Sequence, residues 1–164
     1  MLCFRFVGKG DGHENGKENK KEAFGIDMIK PFSTRTKNEL CYYHKTYNAD
    51  VALNSLRCTD SRYDLDHNLE NIVYNELLYV DYKLKVFNDS DREVDFVAEK
   101  DGKKYFIQVA YSVQNEKAYE REFRAFANLD NLSQKILITT DDLDYSTSVV
   151  RHIKLKDFLL MEDL

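Results

Sequence analysis

Cysteine, proline and tryptophan are scarce in this sequence, which has three Cys, one Pro and no Trp among 164 residues. The cysteines, Cys3, Cys41 and Cys58, are odd in number and lack metal-like spacing, which argues against a disulfide scaffold and a zinc site. No apolar run approaches the roughly 20 residues that span a bilayer. The apolar start, Met1–Val7, is too short for a secretory signal. These absences predict a cytoplasmic protein without membrane contact.

Glycine is also infrequent, and five of the six glycines fall between residues 8 and 25. Gly16 and Lys17 imitate the end of a phosphate-binding loop. Asp11 stands where the first glycine of that loop is required, and Glu18 stands where Ser or Thr should be, which excludes the motif. We predict that residues 1–29 form a flexible or atypical N-terminal segment.

Positive charge is short in the larger part of the chain. Residues 66–164 carry 13 Lys and Arg against 20 Asp and Glu, whereas residues 1–65 carry 11 against 9. An acidic domain attracts phosphates poorly in general. This charge balance leaves two ways open in which the domain could still bind a ligand. It could contain a local basic groove, or its acidic clusters could bind a divalent metal.

What the sequence does contain is a well-marked β-hairpin at residues 92–111. Two β-rich stretches, Glu93–Glu99 and Lys104–Tyr111, flank Asp101-Gly102, a pair favoured in tight turns. The central part of the chain is therefore predicted to be organised around two antiparallel strands.

Strand alternation places a carboxylate inside this hairpin. Asp95 falls on the face opposite Val94 and Phe96, with Gln108 of the second strand as its polar neighbour. A carboxylate in an apolar strand must be paired, metal-bound or partly exposed, because unpaired burial is costly. Asp95 is therefore a candidate site residue.

A helix precedes the hairpin, with Asp66 as its predicted cap and Glu70 at the border of its apolar stripe. Other predicted elements are a short helix near 51–56, strands at 83–87, 135–140 and 149–155, and helices at 115–129 and 156–164. The acidic stretch 141–148 is predicted to be a solvent-facing loop. The order predicts an α/β (α+β) fold, a mixed central sheet of four to five strands flanked by helices.

The order of Glu70 on a helix, Asp95 on a strand and Gln108-Val-Ala110 on the next strand resembles the restriction-endonuclease-like, PD-(D/E)xK superfamily. The resemblance implies that Glu70, Asp95 and Gln108 meet as catalytic and metal-binding residues. It implies Mg²⁺ as the cofactor, with the metal activating water and a lysine helping to position it. DNA is then the implied substrate.

Three stretches, Leu69–Leu78, Glu93–Glu99 and Ile107–Ser112, are similar to one branch, the C-terminal domain of unknown function of bacterial and archaeal AAA-type ATPases. Residues 30–64 loosely resemble the winged-helix segment that precedes this domain in the family. The resemblance therefore implies that 30–64 are a remnant of a winged-helix-like linker and that 65–164 are the restriction-endonuclease-like domain. The ATPase domain of that family has no counterpart here. The chain thus resembles a detached C-terminal part, and the resemblance implies an ATPase domain or another protein as partner.

The departures from active nucleases concern the two groups that cleavage needs most. Gln108 replaces a catalytic Glu, and Ala110 replaces the catalytic Lys. Lys104 lies four residues from Gln108, about 13 Å along a strand, too far to substitute. Basic residues of the second helix could supply a migrated positive group: Lys117, Arg121 and Arg124.

Three functions remain open at this point. The first is a catalytically degraded nuclease-like module of an ATPase that recognises nucleic acid or a partner. The second is an active Mg²⁺-dependent endonuclease with a migrated basic residue. The third is a structural dimerisation or docking domain with a vestigial site.

Overall fold

The structure is a computed structural model, and it describes residues 25–29, 31–32, 45–57, 64–89, 92–130 and 132–164. The predicted N-terminal segment 1–29 therefore lies outside the described residues except for its last part. In chain order the elements are β1 (Ile26–Ile29), β2 (Pro31–Phe32), β3 (Lys45–Asn48), α1 (Ala52–Arg57), α2 (Leu65–Tyr79), β4 (Lys83–Asp89), β5 (Arg92–Lys100), β6 (Lys103–Val109), α3 (Glu116–Ala125), β7 (Gln134–Thr139), β8 (Val150–Lys154) and α4 (Leu155–Phe158).

The central sheet is mixed, as predicted. Its strand order is β2-β4-β5-β6-β7-β8, in which β2 contributes two residues and the other five strands are longer. β4, β5 and β6 are antiparallel neighbours, whereas β7 and β8 add to β6 in parallel. The parallel step from β6 to β7 is made through α3, the crossover that a parallel pair requires. The fold is therefore α+β, with helices flanking a mixed sheet.

The hairpin of β5 and β6 is confirmed. Asp101 and Gly102 have φ angles of 51° and 76°. Positive φ at both central residues is the requirement of the tight hairpin turn that suits strand twist, and glycine adopts it without strain.

A β-bulge changes which face Asp95 occupies. Lys85 pairs with Val97 and Phe87 pairs with Val94, so that one residue of β4 is opposed by two of β5, Asp95 and Phe96. An extra residue shifts the alternation of side chains. The prediction that Val94 and Phe96 share a face is therefore wrong.

Two apolar cores confirm this shift, one on each face of the sheet. The first lies beneath α2 and includes Phe96 and Ala98 of β5. The second lies beneath α3 and includes Val94 and Val97 of the same strand. The bulge thus directs Asp95 toward the side of α2, where it meets groups from elsewhere in the chain.

Helix α2 begins two residues earlier than the sequence suggests. Its N-cap is Asp64, whose Oδ1 accepts the backbone N–H of His67 at 3.1 Å. Asp66, the predicted cap, lies in the first turn and accepts the backbone N–H of Tyr111 at 2.7 Å. Asp66 therefore ties the start of α2 to the end of β6 instead of capping the helix.

β1 and β3 form a separate two-stranded antiparallel sheet that packs on α2. Buried asparagines join β3 and α1 to that helix. Asn71 Oδ1 accepts the N–H of Asn48 at 2.9 Å, and Asn71 Nδ2 donates to the Asn48 carbonyl at 2.8 Å. Asn54 Nδ2 donates to Asn68 Oδ1 at 2.8 Å. These bonds fix the position of β3 over the N-terminal half of α2.

The C-terminal part departs from prediction at two places. Asp141, at the start of the acidic loop, is only 3% exposed, because its carboxylate accepts from Ser112 Oγ and the Val113 N–H, both at 2.7 Å. The last helix ends at Phe158 and does not extend over 156–164. None of the helices in the described ranges is both long and apolar enough to cross a membrane.

Candidate functional site

At the bulged end of β5, Asp95 contacts Gln108 and, through Lys45, Glu70, but the Gln108 side chain lies toward α3 and does not meet Glu70. The β5–β6 pairing ends at Phe96 and Ile107, and beyond it the side chains of Asp95 and Gln108 replace backbone partners. Asp95 Oδ2 accepts the N–H of Val109 at 3.0 Å, and Gln108 Oε1 accepts the N–H of Asp95 at 3.3 Å. The two residues are therefore neighbours, as predicted, and they close the opened end of the hairpin.

Lys45, from strand β3 of the small two-stranded sheet, joins Asp95 to α2. Its Nζ donates to Asp95 Oδ1 at 2.9 Å and to Glu70 Oε1 at 2.8 Å. It also lies 2.8 Å from Glu93 Oε1. One ammonium group thus contacts three carboxylates, and it is mostly buried, with 12% of its side chain exposed. We name these four residues, Lys45, Glu70, Glu93 and Asp95, the lysine–carboxylate cluster.

Tyr47, which lies two residues after Lys45 on β3, also contacts the lysine–carboxylate cluster. Its hydroxyl donates to Glu70 Oε1, the same oxygen that Lys45 contacts. Its ring stacks on Tyr74 of α2 with a centroid distance of 4.2 Å and lies 5.6 Å from that of Phe96. Because residues two apart on a strand share a face, Lys45 and Tyr47 reach the same side of α2.

Gln108 lies on the other face of the sheet and links the site to α3. Its Nε2 donates to Glu122 Oε2 at 2.8 Å, and Arg121 Nε donates to Glu122 Oε1 at 2.6 Å. Glu122 is buried and Arg121 is largely exposed. The polar network therefore crosses the sheet, from Lys45 on one side to Arg121 on the other.

Burial and charge set the protonation of the cluster. Burial, together with the charge of Asp95, raises the pKa of Glu70 to about 7, against the opposing effect of Lys45 and Tyr47. Burial by itself lowers the pKa of Lys45, but Asp95, Glu70 and Glu93 together raise it above its ordinary value. Lys45 is therefore a permanent cation, and Glu70 is the group of the cluster that can take up a proton near neutral pH.

The arrangement does not fit a divalent metal. The carboxylate oxygens that would hold Mg²⁺, one each from Glu70 and Asp95, are bound by the Lys45 ammonium, and Gln108 Oε1 accepts a backbone N–H. Within the described ranges, no group of three or more His, Cys, Asp or Glu side chains is placed to hold a metal ion. The lysine head group takes the position between the carboxylates that a cation would need.

Several residues of the site escape sequence reasoning. The basic group that meets Asp95 is Lys45, whereas Lys117, Arg121 and Arg124 were the expected candidates. Glu93, which was not among the predicted site residues, pairs with Lys45. Only one signal could have pointed to Lys45: its spacing from Tyr47, which gives the two side chains one face of a short β-rich stretch.

Fold and site together define an α+β domain in which a lysine from an adjoining small sheet neutralises an acidic cluster at the end of a mixed sheet. The chain belongs to the family described as Domain of unknown function (DUF4143), whose family model matches residues 65–158. That range contains Glu70, Asp95 and Gln108, whereas Lys45 and Tyr47 precede it. No curated protein and no solved structure matches the chain.

Proposed function

We propose that this chain is a divergent PD-(D/E)xK nuclease-like domain without efficient phosphodiester cleavage. In this proposal it serves as the accessory C-terminal module of an AAA-type ATPase in the cytoplasm, where it recognises a partner. The single observation that carries the proposal is the Lys45 ammonium, which binds Glu70 and Asp95 at 2.8 and 2.9 Å in the place of a metal ion.

The element order supports the superfamily assignment. A helix, three antiparallel strands, a crossover helix and a parallel strand follow one another as α2, β4, β5, β6, α3 and β7. Glu70, Asp95 and Gln108 occupy the helix, the second strand and the third strand of that series. This is the placement that the resemblance to the superfamily implies.

The chemistry of the site supports the loss of cleavage. Gln108 offers a neutral amide where a carboxylate is needed, and its amide is bound to Asp95 N and Glu122. Ala110 is buried in the second core and carries no functional group. Because Lys45 binds the oxygens that would hold a metal, the site is not arranged to use a metal for activating water or for stabilising the charge that develops on phosphate.

The charge of the domain favours a protein partner over nucleic acid. Residues 66–164 carry seven more acidic than basic side chains, which repels a phosphate backbone. The similarity to the C-terminal domain of AAA-type ATPases supports an ATPase as the larger assembly. The alternative of a structural docking domain with a vestigial site differs from this proposal in one respect, namely that the former nuclease site has no role in recognition.

The second candidate, an active Mg²⁺-dependent endonuclease, is favoured by one observation. An active enzyme requires a basic residue that replaces the missing catalytic lysine from another position in the chain. Lys45 places a positive head group at Asp95. For this candidate Lys45 must leave the carboxylates when a metal enters. Lys45 would then be needed for cleavage instead of opposing metal binding.

Calorimetric titration of Mn²⁺ and Mg²⁺ separates the two candidates when Lys45→Met is compared with the unaltered protein and with Asp95→Asn. We expect no saturable binding to the unaltered protein at millimolar metal and measurable Mn²⁺ binding to Lys45→Met, which frees the carboxylates. Circular dichroism verifies that each variant is folded.

The opposite pattern would support the active enzyme. It consists of metal binding by the unaltered protein that is lost in Asp95→Asn, with cleavage of duplex DNA that is lost in Lys45→Met. Cleavage by the unaltered protein that Asp95→Ala abolishes would overturn the proposal that the domain lacks efficient cleavage.

A further inference from the structure

A groove at the C-terminal end of α2 combines exposed apolar side chains with acidic ones. Tyr79 and Leu160 are each 83% exposed, and Leu159 lies beside them at 38%. These three residues line one open groove of about 480 Å³, which we name the corner groove. Its other lining residues are Glu76, Val80, Asp81, Lys100, Met161 and Glu162.

The corner groove contains large apolar side chains that are unusually exposed to water. Tyr79 and Leu160 would be removed from water on contact with another apolar surface, and the burial of large apolar side chains favours association. Clustered exposed apolar side chains with a polar rim are typical of protein interaction sites. The lining therefore has the composition of an interface.

The rim of the corner groove is negatively charged. Glu76, Asp81 and Glu162 contribute three carboxylates, against one lysine. That lysine, Lys100, lies 3.6 Å from Asp163 Oδ1, so that a fourth carboxylate offsets its charge. A cation that approaches the groove thus meets a surplus of negative charge.

The end of α2 adds to this negative field. The carbonyl groups at a helix C-terminus carry a partial negative charge, which basic side chains in the last turn usually offset. The last turn of α2 has no basic residue. The carboxylate side chains and the backbone carbonyl groups therefore both make the electrostatic potential of the groove negative, which favours a positively charged ligand.

We propose that the corner groove docks an amphipathic segment of a partner protein that carries Lys or Arg beside large apolar residues. A second copy of this chain fits poorly, because a symmetric contact would place acidic rim against acidic rim. The inference goes beyond the proposed function and does not depend on it. Glu70 and Tyr79 are nine residues apart on α2, about 13 Å along the helix.

The probe that tests the proposal is a fluorescent amphipathic peptide of Leu and Lys, about 18 residues long and thus about five helical turns. A peptide in which Glu replaces each Lys is its counterpart. Binding is measured by fluorescence anisotropy with the full chain and with the Tyr79→Ser/Leu160→Ser double variant. The Leu132→Ser/Leu143→Ser variant is the matched control, because those side chains are 95% and 65% exposed elsewhere.

We expect the Leu/Lys peptide to bind and the Tyr79→Ser/Leu160→Ser variant to weaken binding about tenfold or more, with the control variant within about twofold. Glu76→Lys/Glu162→Lys should weaken binding as well, and added salt should do the same. Urea unfolding verifies that these surface changes leave the fold intact.

Four results would each overturn the proposal. The first is equal binding of the Leu/Lys and Leu/Glu peptides, the second is equal weakening in the control variant, and the third is no binding of the Leu/Lys peptide by the unaltered chain. The fourth is a dimer in sedimentation analysis that Tyr79→Ser/Leu160→Ser dissociates, because the groove would then be occupied by a second copy.

Discussion

At the scale of single residues, Lys45 determines the electrostatics of the site. Without its ammonium, Glu70 and Asp95 would be two carboxylates of which 15% and 10% of the side chain is exposed, with no cation between them. Two buried like charges raise each other's cost of ionisation. The lysine therefore makes the cluster compatible with a folded interior.

The first prediction concerns the removal of that charge. We expect Lys45→Met to lower the free energy of unfolding by about 3 kcal/mol, because loss of one partner leaves buried charge uncompensated. Urea unfolding at neutral pH measures the change. The matched control is Lys85→Met, whose pair with Glu99 at 3.6 Å is half-exposed and should contribute less than about 1 kcal/mol. Equal losses in the two variants would mean that the cluster is solvated.

The second prediction is a pH dependence that originates in Glu70. Burial and Asp95 raise its pKa from 4.5 to about 7 in the folded protein. The folded protein therefore holds this proton more tightly than the unfolded chain does. The resulting contribution to stability is fully present below pH 4.5 and is lost as the pH rises through about 7.

Urea midpoints measured from about pH 4 to pH 8 test this dependence. Glu70→Gln keeps an oxygen for Tyr47 and cannot ionise, so the stability of the unaltered protein relative to this variant should decline across the interval. A relative stability that grows with pH would show that Lys45, and not burial, dominates the pKa of Glu70.

Sequence reasoning at this scale identified Glu70, Asp95 and Gln108 but missed Lys45 and Tyr47, which come from β3. Asp95 and Gln108 were identified because each is polar in an apolar strand, a local anomaly. Lys45 is an ordinary lysine in a polar stretch, and its role depends on contacts between residues 25 and 50 positions apart. Local sequence carries no information about such pairs unless the packing of β3 on α2 is known.

At the scale of elements, the bulge in β5 decides what the site contains. Regular alternation would leave Asp95 on the face of α3, with Glu122 and Arg121. The extra residue turns it to the face of α2, where Lys45 and Glu70 lie. From α2 to β8, element order, hairpin turn and sheet type were predictable from turn residues and apolar patterns, whereas β1, β2 and β3 were not predicted. The bulge was not, because nothing in Arg92–Lys100 marks an inserted residue.

The asparagine contacts between β3 and α2 give the third prediction. We expect Asn71→Ala to lower the free energy of unfolding by about 2–3 kcal/mol, because several buried groups lose their partners together. The side chain of Asn71 is fully buried and bonds to both backbone groups of Asn48. Limited proteolysis should also cut residues 45–57 faster, since β3 loses its attachment.

Asn75→Ala is the matched control for this variant. Asn75 Nδ2 donates to the carbonyl groups of Asn48 and Ala49 at 3.1 and 3.3 Å, but its side chain is only half-buried. Its loss should have a smaller effect on both measurements. If the two variants behave alike, then burial of the asparagines does not hold β3 in place.

At the scale of the whole molecule, charge limits which partners can bind. The chain has a net charge of −5, and its acidic surplus lies in residues 66–164. The fourth prediction is that the chain binds duplex DNA more weakly than about 10⁻⁴ M at physiological salt, because few phosphates can be neutralised. Anisotropy with a labelled duplex measures the affinity, with Arg121→Ala as the comparison. Micromolar binding that Arg121→Ala weakens would favour nucleic acid as the partner.

The position of β3 has a practical consequence for any attempt to isolate the domain. Residues 65–158 match the family, yet the lysine that balances their acidic cluster comes from residue 45. A fragment cut at residue 65 keeps Glu70, Glu93 and Asp95 and loses the lysine that binds all three. Any metal binding by such a fragment would then be a consequence of the cut and not a property of the intact protein.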